Sequence, residues 1–155
     1  MARYTSIASL IFTLALACAW PCSLAAQPEE SRQSMSNTIT VRIGDKAFAA
    51  TLSDNATAAA FKKLLPLSVT MTELNGNEKL FRLPGTMPAQ ASTPSSIQIG
   101  DLMLYGASTL VLFYKSFPTT YSYTTIGRID NPAGLEAAVG SGSVAVTFEL
   151  RREKR

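Results

Sequence analysis

The chain has 155 residues, 46% of them hydrophobic and 16% charged, with 14 basic and 11 acidic side chains, two cysteines and no histidine. That length suits one domain large enough to bury a core. The missing histidine excludes serine–histidine and cysteine–histidine catalysis, histidine-relayed proton transfer and most zinc sites together.

The amino terminus reads as a targeting segment. Arg3 supplies a positive start, Ile7 to Ala17 form an apolar run, and Ser23-Leu24-Ala25 make a small-x-small cleavage site. The run is too short to span a membrane and no second one follows, so residues 1–25 are expected to be a cleaved secretory signal. Cys18 and Cys22 both fall inside it, which leaves a mature chain without disulfide, iron–sulfur or thiol chemistry. A rival use exists for Cys18: Leu14-Ala15-Leu16-Ala17-Cys18 resembles the lipidation site of bacterial lipoproteins, with Ala15 where leucine is favoured. The alternative to a soluble periplasmic or secreted protein is therefore a lipid anchor at Cys18.

Setting Arg3 aside leaves 13 bases against 11 acids, and four of those bases lie in the tail Arg151-Arg152-Glu153-Lys154-Arg155. The body from Gln27 to Leu150 carries 9 bases and 10 acids, so the domain itself is not basic and no nucleic-acid stripe is expected.

Residues 26–37 are polar and read as a disordered linker. Thr38 to Ile43 alternates strictly, Gly44-Asp45 makes a two-residue turn, and Lys46 to Leu52 resumes the alternation, which predicts a β-hairpin. Asp54 or Asn55 caps a helix expected to run through Leu65, where Pro66 stops it. Val69–Met71 predicts a short strand, Asn75-Gly76-Asn77 a turn and Lys79–Leu83 a strand. Residues 84–96, with three prolines, predict a long loop. Further strands are expected at Ile97–Ile99, Asp101–Tyr105, Thr109–Tyr114, Tyr121–Ile129 and Val144–Leu150. A short helix capped by Asn131, with Pro132 in its first turn, should end near Gly140. The pattern describes a mainly β domain over 38–150, a closed or nearly closed barrel with helical plugs, followed by the basic tail 151–155.

Leu64-Leu65-Pro66-Leu67, Leu74-Asn75-Gly76-Asn77-Glu78-Lys79, Gly100-Asp101-Leu102-Met103-Leu104-Tyr105-Gly106, Tyr121-Ser122-Tyr123-Thr124 and Ile126-Gly127-Arg128-Ile129 occur in this order. Together they resemble the bacterial cyclophilin-like domain family over about Thr38 to Leu150. The resemblance implies a closed antiparallel eight-stranded barrel with two short helices, and members whose activity is largely uncharacterised.

The resemblance to the fold does not carry the activity. True cyclophilins isomerise X–Pro bonds with an arginine, in a Phe-x-Arg sequence, that polarises the prolyl nitrogen beside an apolar slot; a glutamine precedes a later Gly-Asp turn. The barrier they lower is about 20 kcal/mol. Here Arg82 follows Phe81 directly, which turns it to the opposite strand face from the family position. Gln98 precedes Ile99-Gly100-Asp101, and the pocket tryptophan and histidine have no counterpart, the one tryptophan being Trp20. Arg82 and Gln98 are thus the candidate catalytic residues of an incomplete pocket. Aromatic clustering nominates Phe113, Tyr114, Tyr121 and Tyr123 for binding peptide prolines or sugar rings, against a plain reading as barrel packing. Asp54, Asp101 and Asp130 sit at turns or caps, no acid pair has metal spacing, and Gly140 to Ser143 lacks the lysine of a phosphate loop, so no metal or cofactor is expected. The expectation is an exported cyclophilin-like domain binding a peptide or small ligand without efficient catalysis. The alternatives are a weak peptidyl-prolyl isomerase and a structural or interaction module.

Overall fold

The hairpin forms as its alternation requires: β1 (Thr38–Ile43) and β2 (Lys46–Leu52) pair antiparallel from Ile43↔Lys46 to Thr38↔Thr51. Gly44, at φ +58°, takes the turn position that a type II′ hairpin gives to glycine. The computed structural model describes residues 36–151. The expected signal, Cys18, most of the linker and residues 152–155 lie outside the described residues.

After β2 come α1 (Ala56–Lys62), β3 (Leu67–Leu74), β4 (Glu78–Arg82), β5 (Ser96–Ile97), β6 (Asp101–Tyr105) and β7 (Thr109–Phe113). β8 (Phe117–Pro118), β9 (Thr124–Ile129), α2 (Leu135–Val139) and β10 (Val144–Leu150) complete the order. Eight strands close an antiparallel barrel in the order β1-β10-β3-β4-β7-β6-β9-β2, and β5 pairs with β8 outside it. The expected mainly β, eight-stranded barrel with two helices is the architecture found.

Alternation sends one face of every strand inward. Ile39, Val41 and Ile43 of β1, Leu102 and Leu104 of β6, Leu110 and Leu112 of β7, and Val146 and Phe148 of β10 are buried in one core. Ala58 and Phe61 of α1 and Leu135 and Val139 of α2 fill the same core, with Phe61 edge-on to Phe148 at 5.4 Å. Gly127 lets β9 approach β2 closely: a Cβ there would stand 2.5 Å from the Thr51 carbonyl oxygen.

Several boundaries differ from the sequence reading, each for a local reason. α1 ends at Lys62, not Leu65, because the chain tightens into i→i−3 bonds from Lys63 N–H to Ala60 O, Leu64 N–H to Phe61 O and Leu65 N–H to Lys62 O before Pro66. α2 starts after Gly134 rather than at Asn131; the Asn131 side chain accepts from Ala133 N–H and closes a turn instead. β3 extends to eight residues because β10 claims its first half and β4 its last. β9 begins at Thr124, not Tyr121, because Tyr123 bridges Ser92 instead, and the strand expected at Ile97–Ile99 shrinks to Ser96–Ile97, which pairs with Phe117–Pro118.

Candidate functional site

The sheet formed by β4, β7 and β6 carries a second apolar cluster on its outer face, separate from the barrel core. Val111 and Phe113 of β7 and Met103 of β6 are buried there together with Ile97 and Tyr123, and Leu80 of β4 packs against them. Strand parity explains the division. Lys79 and Phe81 turn inward, so Glu78, Leu80 and Arg82 share the outer face. The register sets three cross-strand rows. Arg82 and Tyr105 flank Thr109, Leu80 and Met103 flank Val111, and Glu78 stands opposite Phe113.

What covers this face is the segment expected to be a loop. Residues 84–98 form an ordered strap. Met87 N–H bonds Ala107 O, Thr57 Oγ1 donates to Pro88 O, and Gln90 N–H donates to Thr124 Oγ1. Ser92 and Tyr123 exchange both backbone bonds, Thr93 and Ser122 hydroxyls meet at 2.9 Å, and Thr119 N–H bonds Ser95 O. The strap and residues 117–124 thus run as one stitched pair that lowers Ile97, Phe117 and Tyr123 onto the sheet.

Five rings follow one another across the face. Phe117 packs on Phe113 at 5.7 Å, Phe113 on Tyr123 at 5.4 Å, Tyr123 on Tyr105 at 5.6 Å and Tyr105 on Tyr121 at 6.3 Å, all tilted or edge-on. These are the separations at which ring quadrupoles attract. From Phe113 onward exposure climbs, from 0% there and 7% at Tyr123 to 47% at Tyr105 and 62% at Tyr121. The buried end is core packing; the exposed end is a flat apolar platform with two hydroxyl tips. Burial, with the Glu78 charge next in size, pushes the Tyr123 hydroxyl up to about 12.

The candidate residues divide. Phe113, Tyr121 and Tyr123 converge on this face, and Arg82 is exposed on it, one strand beyond Thr109 from Tyr105. The Arg82 side chain has no hydrogen-bond or ion-pair partner among the described residues. Gln98 does not join it. Its amide donates to Ser96 Oγ at 3.0 Å and its N–H to Asp101 Oδ2 at 2.8 Å, beside the Phe113 row. Four residues of β7 separate that row from the Arg82 row, about 13 Å along the strand. Asp101 also accepts from Arg128 Nε at 2.7 Å, a structural pairing in keeping with its place at a turn.

Tyr114 lies apart from the other nominated aromatics. It follows β7 with opposite parity, packs against the barrel core, and its hydroxyl donates to both Glu73 carboxylate oxygens at 2.9 and 3.0 Å. Beside it the fully buried Lys79 ammonium binds the Glu73 carboxylate, Gly140 O at 2.8 Å and Gly142 O at 2.6 Å. All three of its N–H donors are filled, so this centre clamps β4 to the turn after α2 and has no free donor for chemistry. Burial works against ionisation of Glu73, but Lys79, the Tyr114 hydroxyl and Gly76 N–H outweigh it and hold the carboxyl below the usual range. Burial and the Glu73 hydrogen bond push Tyr114 up to about 12. An open depression of about 420 Å³ lies over this clamp, lined by Glu73, Tyr114, Lys115, Glu136 and Ser141 among others.

Comparison with known proteins adds the family. The model of the cyclophilin-like family matches residues 41–149, most of the chain and nearly all of the barrel. The chain belongs to the cyclophilin-like family. Among solved structures this cyclophilin-like barrel is similar to the hypothetical protein AF2241 from Archaeoglobus fulgidus, at 17% identity and a TM-score of 0.53. The alignment covers 78% of this chain and 99% of that one, and at such identity it speaks for the fold alone. A search of curated proteins finds no match.

Two members of the outer face escaped the sequence reading. Tyr105 is not among the residues nominated for binding, although it joins Tyr121 to Tyr123. Glu78, beside Phe113, was not singled out. Both follow from parity: with Phe81 inward, Glu78, Leu80 and Arg82 must point outward together.

Proposed function

We infer that this cyclophilin-like domain is an exported binding module whose outer aromatic face takes a peptide or a small ligand, without efficient prolyl isomerisation. The observation that carries the reading is the ring series rising to the exposed Tyr105–Tyr121 pair, with an unpaired Arg82 in the same row. Flat aromatic area suits the pyrrolidine ring of proline, and an arginine beside it suits a carbonyl or carboxylate. Efficient isomerisation needs more: a cation already fixed where the prolyl nitrogen develops charge. Arg82 is exposed with nothing holding it, and Gln98 is tied down at the other end of the face. Export is argued from the apolar run and the cleavage pattern of residues 1–25.

A weak isomerase remains the second reading, favoured by the location of Arg82 on the aromatic face. A coupled cis/trans assay on Ala-Pro peptides, run on the parent and on Arg82→Ala, separates the two. A rate close to the uncatalysed one in both supports the binding module. A rate far above it that collapses in the variant overturns that reading. Titration with an acetyl-Ala-Pro-Ala amide should show weaker binding to Tyr121→Ala, with the melting temperature unchanged; no binding by the parent favours the structural or interaction module. Mass spectrometry of protein recovered from the periplasm tests export: a chain beginning at Ala26 is expected, and a diacyl adduct on Cys18 replaces the soluble form by a lipoprotein.

A further inference from the structure

Glu78 and Arg82 leave the same face of β4 with Leu80 between them. Neither side chain has a hydrogen-bond or ion-pair partner among the described residues, whereas Glu73, Asp101, Glu136 and Glu149 all meet cations. Four residues of strand hold the two about 13 Å apart, too far to neutralise each other. Glu78 is only 7% exposed. Its carboxylate oxygens still reach solvent, but a charge this far buried costs free energy unless something neutralises it. Burial, and then the Glu73 charge, raise its carboxyl above the usual range, in agreement with a site that lacks a cation. On one flank stands Phe113; on the other stands Leu74, 41% exposed, so this end of the face opens toward β3.

We propose that Glu78 is the receptor for a cationic side chain of an extended peptide whose carboxylate or carbonyl, four residues along, meets Arg82. The proposal rests on the peptide-binding reading and deepens it by naming the ligand's charge pattern. An ammonium or guanidinium brings the partner that the fold does not supply, in a place where a charge-assisted hydrogen bond is little weakened by water. An extended chain advances about 3.3 Å per residue, so a basic and an acidic residue four positions apart match the spacing of Glu78 and Arg82. Between them the half-buried Leu80 and the exposed Tyr105 and Tyr121 receive apolar and prolyl groups.

The probe is the peptide acetyl-Lys-Ala-Pro-Ala-Glu amide, compared with the same peptide carrying norleucine for lysine, by isothermal titration. The parent is expected to bind the lysine peptide at least tenfold more tightly. Glu78→Gln should lower that affinity to the norleucine level and leave norleucine binding within twofold, which a merely structural role would not do. Leu74→Lys, at an exposed position beside Glu78, supplies an ammonium from within the protein and should abolish the preference in the same way. Equal affinity of the parent for both peptides, or equal loss of both in Glu78→Gln, overturns the assignment of Glu78. If Tyr121→Ala still weakens both peptides in that case, the peptide-binding face stands without it. Failure of the parent to bind either peptide overturns both.

Discussion

At the residue scale the telling contrast is between two charges on adjacent positions of one strand. Lys79 points inward, is fully buried and fills every donor; Glu78 points outward, is almost as buried and its carboxylate has no partner among the described residues. Removing one partner of a buried charged cluster leaves the others unpaired, which costs more than the pair itself contributes. Lys79→Met is therefore expected to destabilise the fold by about 3 kcal/mol in urea unfolding, since the Gly140 and Gly142 carbonyls and Glu73 all lose their cation. A change below about 1 kcal/mol would show that the clamp is redundant. Glu78 predicts the opposite. Its carboxyl is raised in the folded state, so its contribution is intact below the ordinary value of 4.5 and is lost as pH rises through the folded value. Glu78→Gln should melt above the parent at pH 7 and level with it at pH 4. The same gap at both pH values would mean that ionisation is not what Glu78 costs the fold.

Among the elements, the hairpin β1–β2 and the stop of α1 before Pro66 were legible because each has a local cause: strict alternation, a Gly-Asp turn, a residue that cannot continue a helix. The strap was not. Its residues show no alternation and three prolines, and the bonds that order it come from Thr57, Ala107 and residues 117–124, all twenty or more positions away. The exact start of α2 was hidden for a related reason, because an asparagine before proline makes a turn as readily as a cap. A close strand approach is equally silent in sequence until the register is known. Gly127 faces Leu52 across β9 and β2, and its missing side chain leaves room for the Thr51 carbonyl. Gly127→Ala is expected to cost about 1–3 kcal/mol through forced separation of these strands, measured as a fall in the urea midpoint. An unchanged midpoint would mean that the barrel seam yields freely.

At the scale of the molecule, closure is the governing fact. β1 meets β10 through pairs such as Ile39↔Leu150, so the seam joins the two ends of the described domain. A sheet closed on itself leaves no barrel edge for another chain to extend, which turns recognition over to a face. Pairings this remote in sequence also delay folding. Refolding from urea should fall in the millisecond-to-second range expected of barrels rather than the microsecond range of helical bundles. Stopped-flow tyrosine fluorescence checks it, and a phase complete within the dead time would contradict it. The candidate site was legible in its chemistry, arginine and clustered tyrosines, but not in its membership. Tyr114 left and Tyr105 and Glu78 entered because inward or outward direction depends on where each strand starts, and one residue of register reverses it.

The ring series across the outer face has one more consequence, for observation rather than for binding. The described residues contain no tryptophan, and three of their four tyrosines, Tyr105, Tyr121 and Tyr123, are neighbours in that series. The intrinsic emission of the domain therefore originates largely on the surface proposed to meet the ligand. Occupancy of that surface can be watched in solution without a dye, a label or any substitution, and the fourth tyrosine, Tyr114, whose hydroxyl is bonded to the Glu73 carboxylate, adds little to the signal.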